Sequence, residues 1–143
     1  MPIKSFRGLI ADGGIDTITL HTNNGATGYR IVKLDLIGST PGTQDIESVV
    51  KIYKVPQETA DGNIDLSDNT LVAVAYYGDH SNSTAQAFDV IVFDNEVFNQ
   101  DIYITHKDAS TGEAINYYIE LEQISLNLNE NTVATLKDIR NQS

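Results

Sequence analysis

Residues 87–128 read AFDVIVFDNEVFNQDIYITHKDASTGEAINYYIELEQISLNL, and this stretch decides the fold class. Three strand-like runs follow one another here, joined by short turn-rich links. Asp101–Lys107 alternates: Ile102 and Ile104 fall on one side, Asp101, Tyr103, Thr105 and Lys107 on the other. A period of two marks a half-buried strand, because successive side chains leave a strand on opposite faces. Ile115–Leu128 repeats the pattern, with Tyr117, Ile119 and Leu121 on one parity, until the apolar parity changes near Ile124. A bulge around Glu122–Gln123 accounts for that change. Ala87–Phe93 is β-branched, aromatic and mostly apolar, the composition of a strand covered on both faces. Ile91 and Ile119 are therefore assigned to the core. The link DASTGEA contains Gly112, which takes positive φ without strain, so it reads as a hairpin.

Five further runs precede this stretch: Ile3–Ile10, Ile15–His21, Tyr29–Ile37, Glu47–Val55 and Leu71–Tyr77. Ile18 and Leu20 are expected to face inward. In Tyr29–Ile37 both parities mix apolar and charged residues, so either face could be the buried one. The links carry turn chemistry: Asp12-Gly13, Asn24-Gly25, and Pro41-Gly42, which suits the centre of a type II turn. Gly78–Gln86 (GDHSNSTAQ) is small and polar and reads as an exposed, mobile loop. After Asn129 or Asn131, Val133, Leu136 and Ile139 recur every third residue, with Lys137 and Arg140 where a helix dipole favours cations. This predicts a short C-terminal helix over 131–140.

Eight strand-like runs with no helix between them predict one domain over 1–143. The class is all-β: an antiparallel β-sandwich, jelly-roll-like, with a short C-terminal helix. An immunoglobulin-like sandwich is the second choice, although its Cys and Trp hallmarks are missing. The chain holds 20 acidic and 9 basic residues, for a formal net charge of −11. That balance argues against sequence-independent nucleic-acid binding, which depends on clustered Lys and Arg. With no cysteine, disulfides and thiol chemistry are excluded. No apolar run is long enough for a membrane span, and MPIKSFRG lacks the apolar core of a secretory signal.

No constellation of residues rises to a catalytic site. DGNIDLSD (Asp61–Asp68) alternates oxygen-bearing side chains as a calcium loop does. However, Leu66 and Val72 stand where an EF-hand needs Gly and Glu, so a solvated turn is preferred. His21, His80 and His106 are scattered without metal-ligand spacing. Nucleophile-elbow and phosphate-loop motifs are absent, and abundant Asp and Glu make any close carboxylate pair uninformative. Asn82-Ser83-Thr84 matches a glycosylation acceptor, which means little without a secretory signal. The expectation is a non-enzyme with no catalytic residues, no cofactor and no metal.

Binding surfaces are the remaining possibility. All seven tyrosines fall in strand-like runs. Ordinary strand propensity explains most of them. The pairs Tyr76-Tyr77 and Tyr117-Tyr118 say more, because neighbours on a strand point to opposite faces and one of each pair is free to meet a partner. With Val133, Leu136 and Ile139 of the terminal stripe, these four tyrosines form the candidate interface.

The segments MPIKSFRG, GYRIVK, VVKIYK, LSDNTLVAVAYY, FDNEVFNQDIYITH, NYYIELEQ and LNENTVATLKDIRN together resemble a family of small proteins of marine tailed bacteriophages, presumed virion structural proteins. The resemblance spans Met1 to Asn141. It implies a place in the virus particle and brings no catalytic residue with it. The expected role is a multi-copy capsid decoration or cement protein, a homo-oligomer that binds the major capsid protein or other virion proteins. A tail or connector component, or a carbohydrate-binding β-sandwich for host attachment, are the alternatives.

Overall fold

The computed structural model describes residues 2–22, 25–42, 45–79, 86–93 and 95–126. They form eight strands: β1 (Ile3–Ile10), β2 (Ile15–Ile18), β3 (Thr27–Gly38), β4 (Ile46–Tyr53), β5 (Leu71–Asp79), β6 (Gln86–Val92), β7 (Ile102–Asp108) and β8 (Ile115–Ser125). All pair antiparallel, in a three-stranded sheet of order β1-β8-β3 and a five-stranded sheet of order β2-β7-β4-β5-β6. The described residues contain no helix. The 131–140 helix, Asn24 of the Asn24-Gly25 turn, and His80–Ala85 of the expected loop lie outside the described residues. Gly78 and Asp79, expected in that loop, are instead buried strand residues paired with Ala87 and Gln86.

The two sheets share one apolar core, as a β-sandwich does. Ile10, Ile31, Leu34, Ile115, Ile119 and Leu121 enter it from the smaller sheet, and Ile46, Val50, Ile52, Ala73, Ile102 and Ile104 from the larger. Each fully buried aliphatic side chain contributes about 1.5–3 kcal/mol relative to exposure. Ile18 and Leu20 face inward, as their parity requires.

Four links carry the chain from one sheet to the other: β1 to β2, β2 to β3, β3 to β4, and β7 to β8. The last of these corrects the hairpin reading of DASTGEA. Gly112 does take φ of 82°, but β7 pairs with β2 and β4 while β8 lies between β1 and β3. Asp108 shapes the crossing: its carboxylate accepts from the backbone N–H groups of Glu47, Ser110 and Glu113. At Pro41-Gly42 the positive φ of 82° at Gly42 fits the expected type II turn.

The expected bulge at Glu122–Gln123 is not there: β8 keeps an unbroken register through both residues, and the irregularity sits on β3. Register shifts between Ile31 and Lys33 of β3, opposite Leu121 and Glu120, leaving Val32 as the extra residue. This explains the mixed faces of β3. Tyr29 and Ile31 are buried before the bulge, Leu34 and Leu36 after it, so the inward parity switches within one strand.

Ala87–Phe93 is also corrected. Its core, β6, is an edge strand rather than a strand covered on both faces. Phe88, Val90 and Ile91 are 43%, 40% and 44% exposed. Composition shows that a strand is apolar; it does not show whether a neighbour covers it. Ile119, by contrast, is fully buried.

Candidate functional site

The outer face of the three-stranded sheet carries a well-formed surface depression. Registers across β1, β8 and β3 stack side chains in rows. Phe6, Ile119 and Leu34 point inward together, as do Ile10, Ile115 and Gly38. The rows between them must point outward: Leu9, Asn116 and Ile37 in one, Arg7, Tyr118 and Asp35 in the next. Leu9 and Ile37 are thereby 59% and 57% exposed. They line an open, mainly apolar depression of about 650 Å³ together with Arg7, Asp35, Asn116 and Tyr118.

Charge rims the other end of this face. Arg30 Nε donates to Glu122 Oε1 at 2.7 Å, and Lys33 Nζ lies 3.5 Å from Asp35 Oδ2. Tyr118 donates its hydroxyl to Glu120 Oε2 at 2.7 Å, and that carboxylate holds the phenol proton on, pushing its pKa up. The Lys33 ammonium stands 5.8 Å from the Tyr118 ring centroid, within cation–π range. An apolar hollow beside paired charges of both signs is the ordinary make-up of a protein-binding surface.

The candidate interface residues separate. Tyr77 and Tyr117 are buried and belong to the core. Tyr76 and Tyr118 are half-buried and face the other way, which leaves them as the reachable member of each pair. The Tyr117 ring lies over its cross-strand partner Gly8, where a Cβ would come within 2.8 Å of the tyrosine oxygen. Its hydroxyl donates to Asp16 Oδ2 at 3.1 Å, on the opposite sheet. Burial and the Asp16 carboxylate push the Tyr117 pKa to about 12. Tyr76 borders a second, smaller hollow of about 270 Å³ on the five-stranded sheet, with Ile64, Leu66 and Ile91. Val133, Leu136 and Ile139 lie outside the described residues.

Leu9 and Ile37 were not among the sequence candidates. A signal existed in the adjacent apolar pairs Leu9-Ile10 and Leu36-Ile37, because strand alternation sends one member of each pair outward.

The acidic loop after β4 closes on itself. Asp61 accepts from Lys51 Nζ at 2.7 Å and from Asn63 N, Asp65 from Ser67, and Asp68 from Thr70. These are turn-forming contacts of Asp with its own loop. Lys51 is buried; that burial favours loss of its proton, but the contacts with Asp61 and Tyr53 prevail and raise its pKa. Among the described residues, no three His, Asp or Glu side chains gather where a metal ion could be held.

His106 shares the parity of Ile102 and Ile104 and so points into the core. Its Nδ1 lies 3.1 Å from the carbonyl oxygens of Ile10 and Ala11, its Nε2 2.9 Å from Ser48 Oγ. Carbonyls only accept, so Nδ1 carries the proton and Nε2 accepts from the serine. A serine beside a histidine has the reach of a nucleophile with its base. Both residues are 0% exposed, so no substrate meets them, and the pair ties the β1–β2 turn to β4 and β7.

No protein-family model matches this chain, and no curated protein matches it either.

Proposed function

We propose that this chain is a structural protein of a tailed-bacteriophage virion that acts by binding other proteins, as a multi-copy capsid decoration or cement protein. The apolar depression between Leu9 and Ile37 carries the reading, because a strand face that ends in two exposed aliphatic side chains gains from being covered. The family resemblance of the sequence supports the particle as the setting, with the major capsid protein as the partner.

Strand pairing supports a jelly-roll reading of the sandwich. A jelly roll is a long antiparallel hairpin rolled up, in which the first strand pairs with the last, the second with the next to last, and so inward. The pairs β1–β8, β2–β7 and β4–β5 follow that scheme. The remaining pair departs from it: β6 joins β5, and the single bridge Tyr29–Phe98 stands beside β3.

The test is reconstitution on particles grown without the protein. Wild type should bind in many copies spread over the shell, and the double variant Leu9→Asp/Ile37→Asp should not bind. Binding confined to the tail or the connector would assign it there instead. Failure to bind any particle, combined with glycan binding that Tyr76→Ala abolishes, would move it to host attachment.

A further inference from the structure

The four outer strands of the two sheets are not alike. β1 carries Lys4 and Arg7, β2 has four residues, and β3 combines a bulge with Lys33 and Asp35. Short length, bulges and charge are the devices that keep a sheet edge from recruiting another strand. β6 is neither short nor bulged and has little charge. Its sequence Gln-Ala-Phe-Asp-Val-Ile-Val contains one charge, Asp89, and exposes apolar side chains on both faces.

The direction of its free backbone groups follows from one hydrogen bond. Phe93 N donates to Val72 O at 3.0 Å, continuing the β5–β6 ladder. Bonding to one neighbour recurs at every second residue. Ile91, Asp89 and Ala87 therefore bond to β5, while Phe88, Val90 and Val92 turn their N–H and C=O groups to the far edge, where no strand pairs among the described residues.

We propose that β6 pairs with β6 of a second copy of this chain, antiparallel across a two-fold axis centred on Val90. In that register the outward-directed residues bond to one another, Val90 with Val90 and Phe88 with Val92. Asp89 then faces Ile91 of the other copy. Shifting the register to centre on Asp89 sets two carboxylates opposite each other in the pair where side chains come closest, which is disfavoured. The chosen register also aligns Phe88, Val90 and Val92 with the same row of the second copy. The inner apolar row of β5, which holds the buried Ala73, Ala75 and Tyr77, is thereby extended through two β6 strands. Such a contact is self-complementary, as a two-fold interface must be. It is independent of the surface proposed for shell binding, which lies on the other sheet.

Sedimentation of the full chain at concentrations on the order of tens of micromolar tests this directly. The wild type should run as a dimer. Val90→Pro should run as a monomer with its β-sheet signal intact, because the N–H it removes points away from β5 and is not part of the β5–β6 ladder. The chain has no native cysteine, so oxidised Val90→Cys should trap a covalent dimer through one symmetric bond. This second variant decides the matter if Val90→Pro fails to fold. A wild type that stays monomeric overturns the proposal. So does a dimer that survives Val90→Pro, or one that Val90→Cys does not trap.

Discussion

His106 Nε2 and Ser48 Oγ stand 2.9 Å apart on neighbouring strands, and neither side chain reaches solvent. Burial pushes the imidazole below its ordinary 6.5, against the upward pull of the Ala11 and Ile10 carbonyls and of Asp12 and Asp108. The unfolded chain thus takes up a proton below 6.5 more readily than the folded one. The stability linked to neutral His106 is complete above 6.5 and is lost as pH falls from there through the folded value. The melting temperature should be level near about pH 7 and decline towards about pH 5. His106→Gln should lower stability by about 1–3 kcal/mol at neutral pH, since it disturbs buried hydrogen bonds, and should flatten the decline. An unchanged slope in the variant would remove His106 as its source.

Tyr117 supplies a second titration. Its hydroxyl is held up first by burial and then by Asp16. Asp16→Asn should therefore bring its ionisation down from about 12 without returning it to the ordinary 10.0. Ultraviolet absorbance during alkaline titration, with Tyr117→Phe as the reference, reads this. No movement on Asp16→Asn would mean that burial acts alone.

Two isoleucines of similar sequence setting should behave differently. Ile119 is fully buried and Ile91 is 44% exposed. Ile119→Ala should cost about 2–5 kcal/mol in chemical denaturation. Ile91→Ala should cost less than about 1 kcal/mol in the monomer. Equal losses would refute the placement of β6 at an edge.

Lys51 anchors the long link between β4 and β5 through Asp61 and the Asn63 carbonyl. Lys51→Met keeps the apolar stem and removes both bonds, and Asp61, largely exposed, returns to water. The expected loss of stability is small, about 1 kcal/mol. Limited proteolysis should nevertheless cut first within residues 57–69 in the variant. Cleavage that begins within β7 or β8 would show that the sheet itself had opened.

Strand alternation carried most of the fold in the sequence. Ile102 and Ile104, or Tyr117, Ile119 and Leu121, declare their inward face by spacing alone. Sheet membership does not follow from spacing, and so the link at Gly112 read as a hairpin when it is a crossing. The bulge at Val32 was visible only as a confused pattern in Tyr29–Ile37, because both parities there mix apolar and charged residues and nothing marks where the inward face switches. The candidate surface was half legible. Tyrosine pairs pointed to Tyr76 and Tyr118, but Leu9 and Ile37 emerge only when β1, β8 and β3 are set side by side. His106 could have been placed inward from its parity with Ile104; its partner Ser48 lies 58 residues away and no pattern links the two.

The pairing of β1 with β8 has a consequence for synthesis. Ile3 lies opposite Glu122, and the strand at the centre of the smaller sheet is the last of the eight described strands to be synthesised. Until Ile115–Ser125 emerges, β1 and β3 have nothing between them, and β2 waits in the same way for β7. Only β4, β5 and β6 can assemble from adjacent chain. Contacts between distant parts of a chain form slowly, because a long loop must close before they reward it. Folding of the smaller sheet therefore waits on its central strand, with the apolar faces of β1 and β3 open to mispairing until β8 has been made.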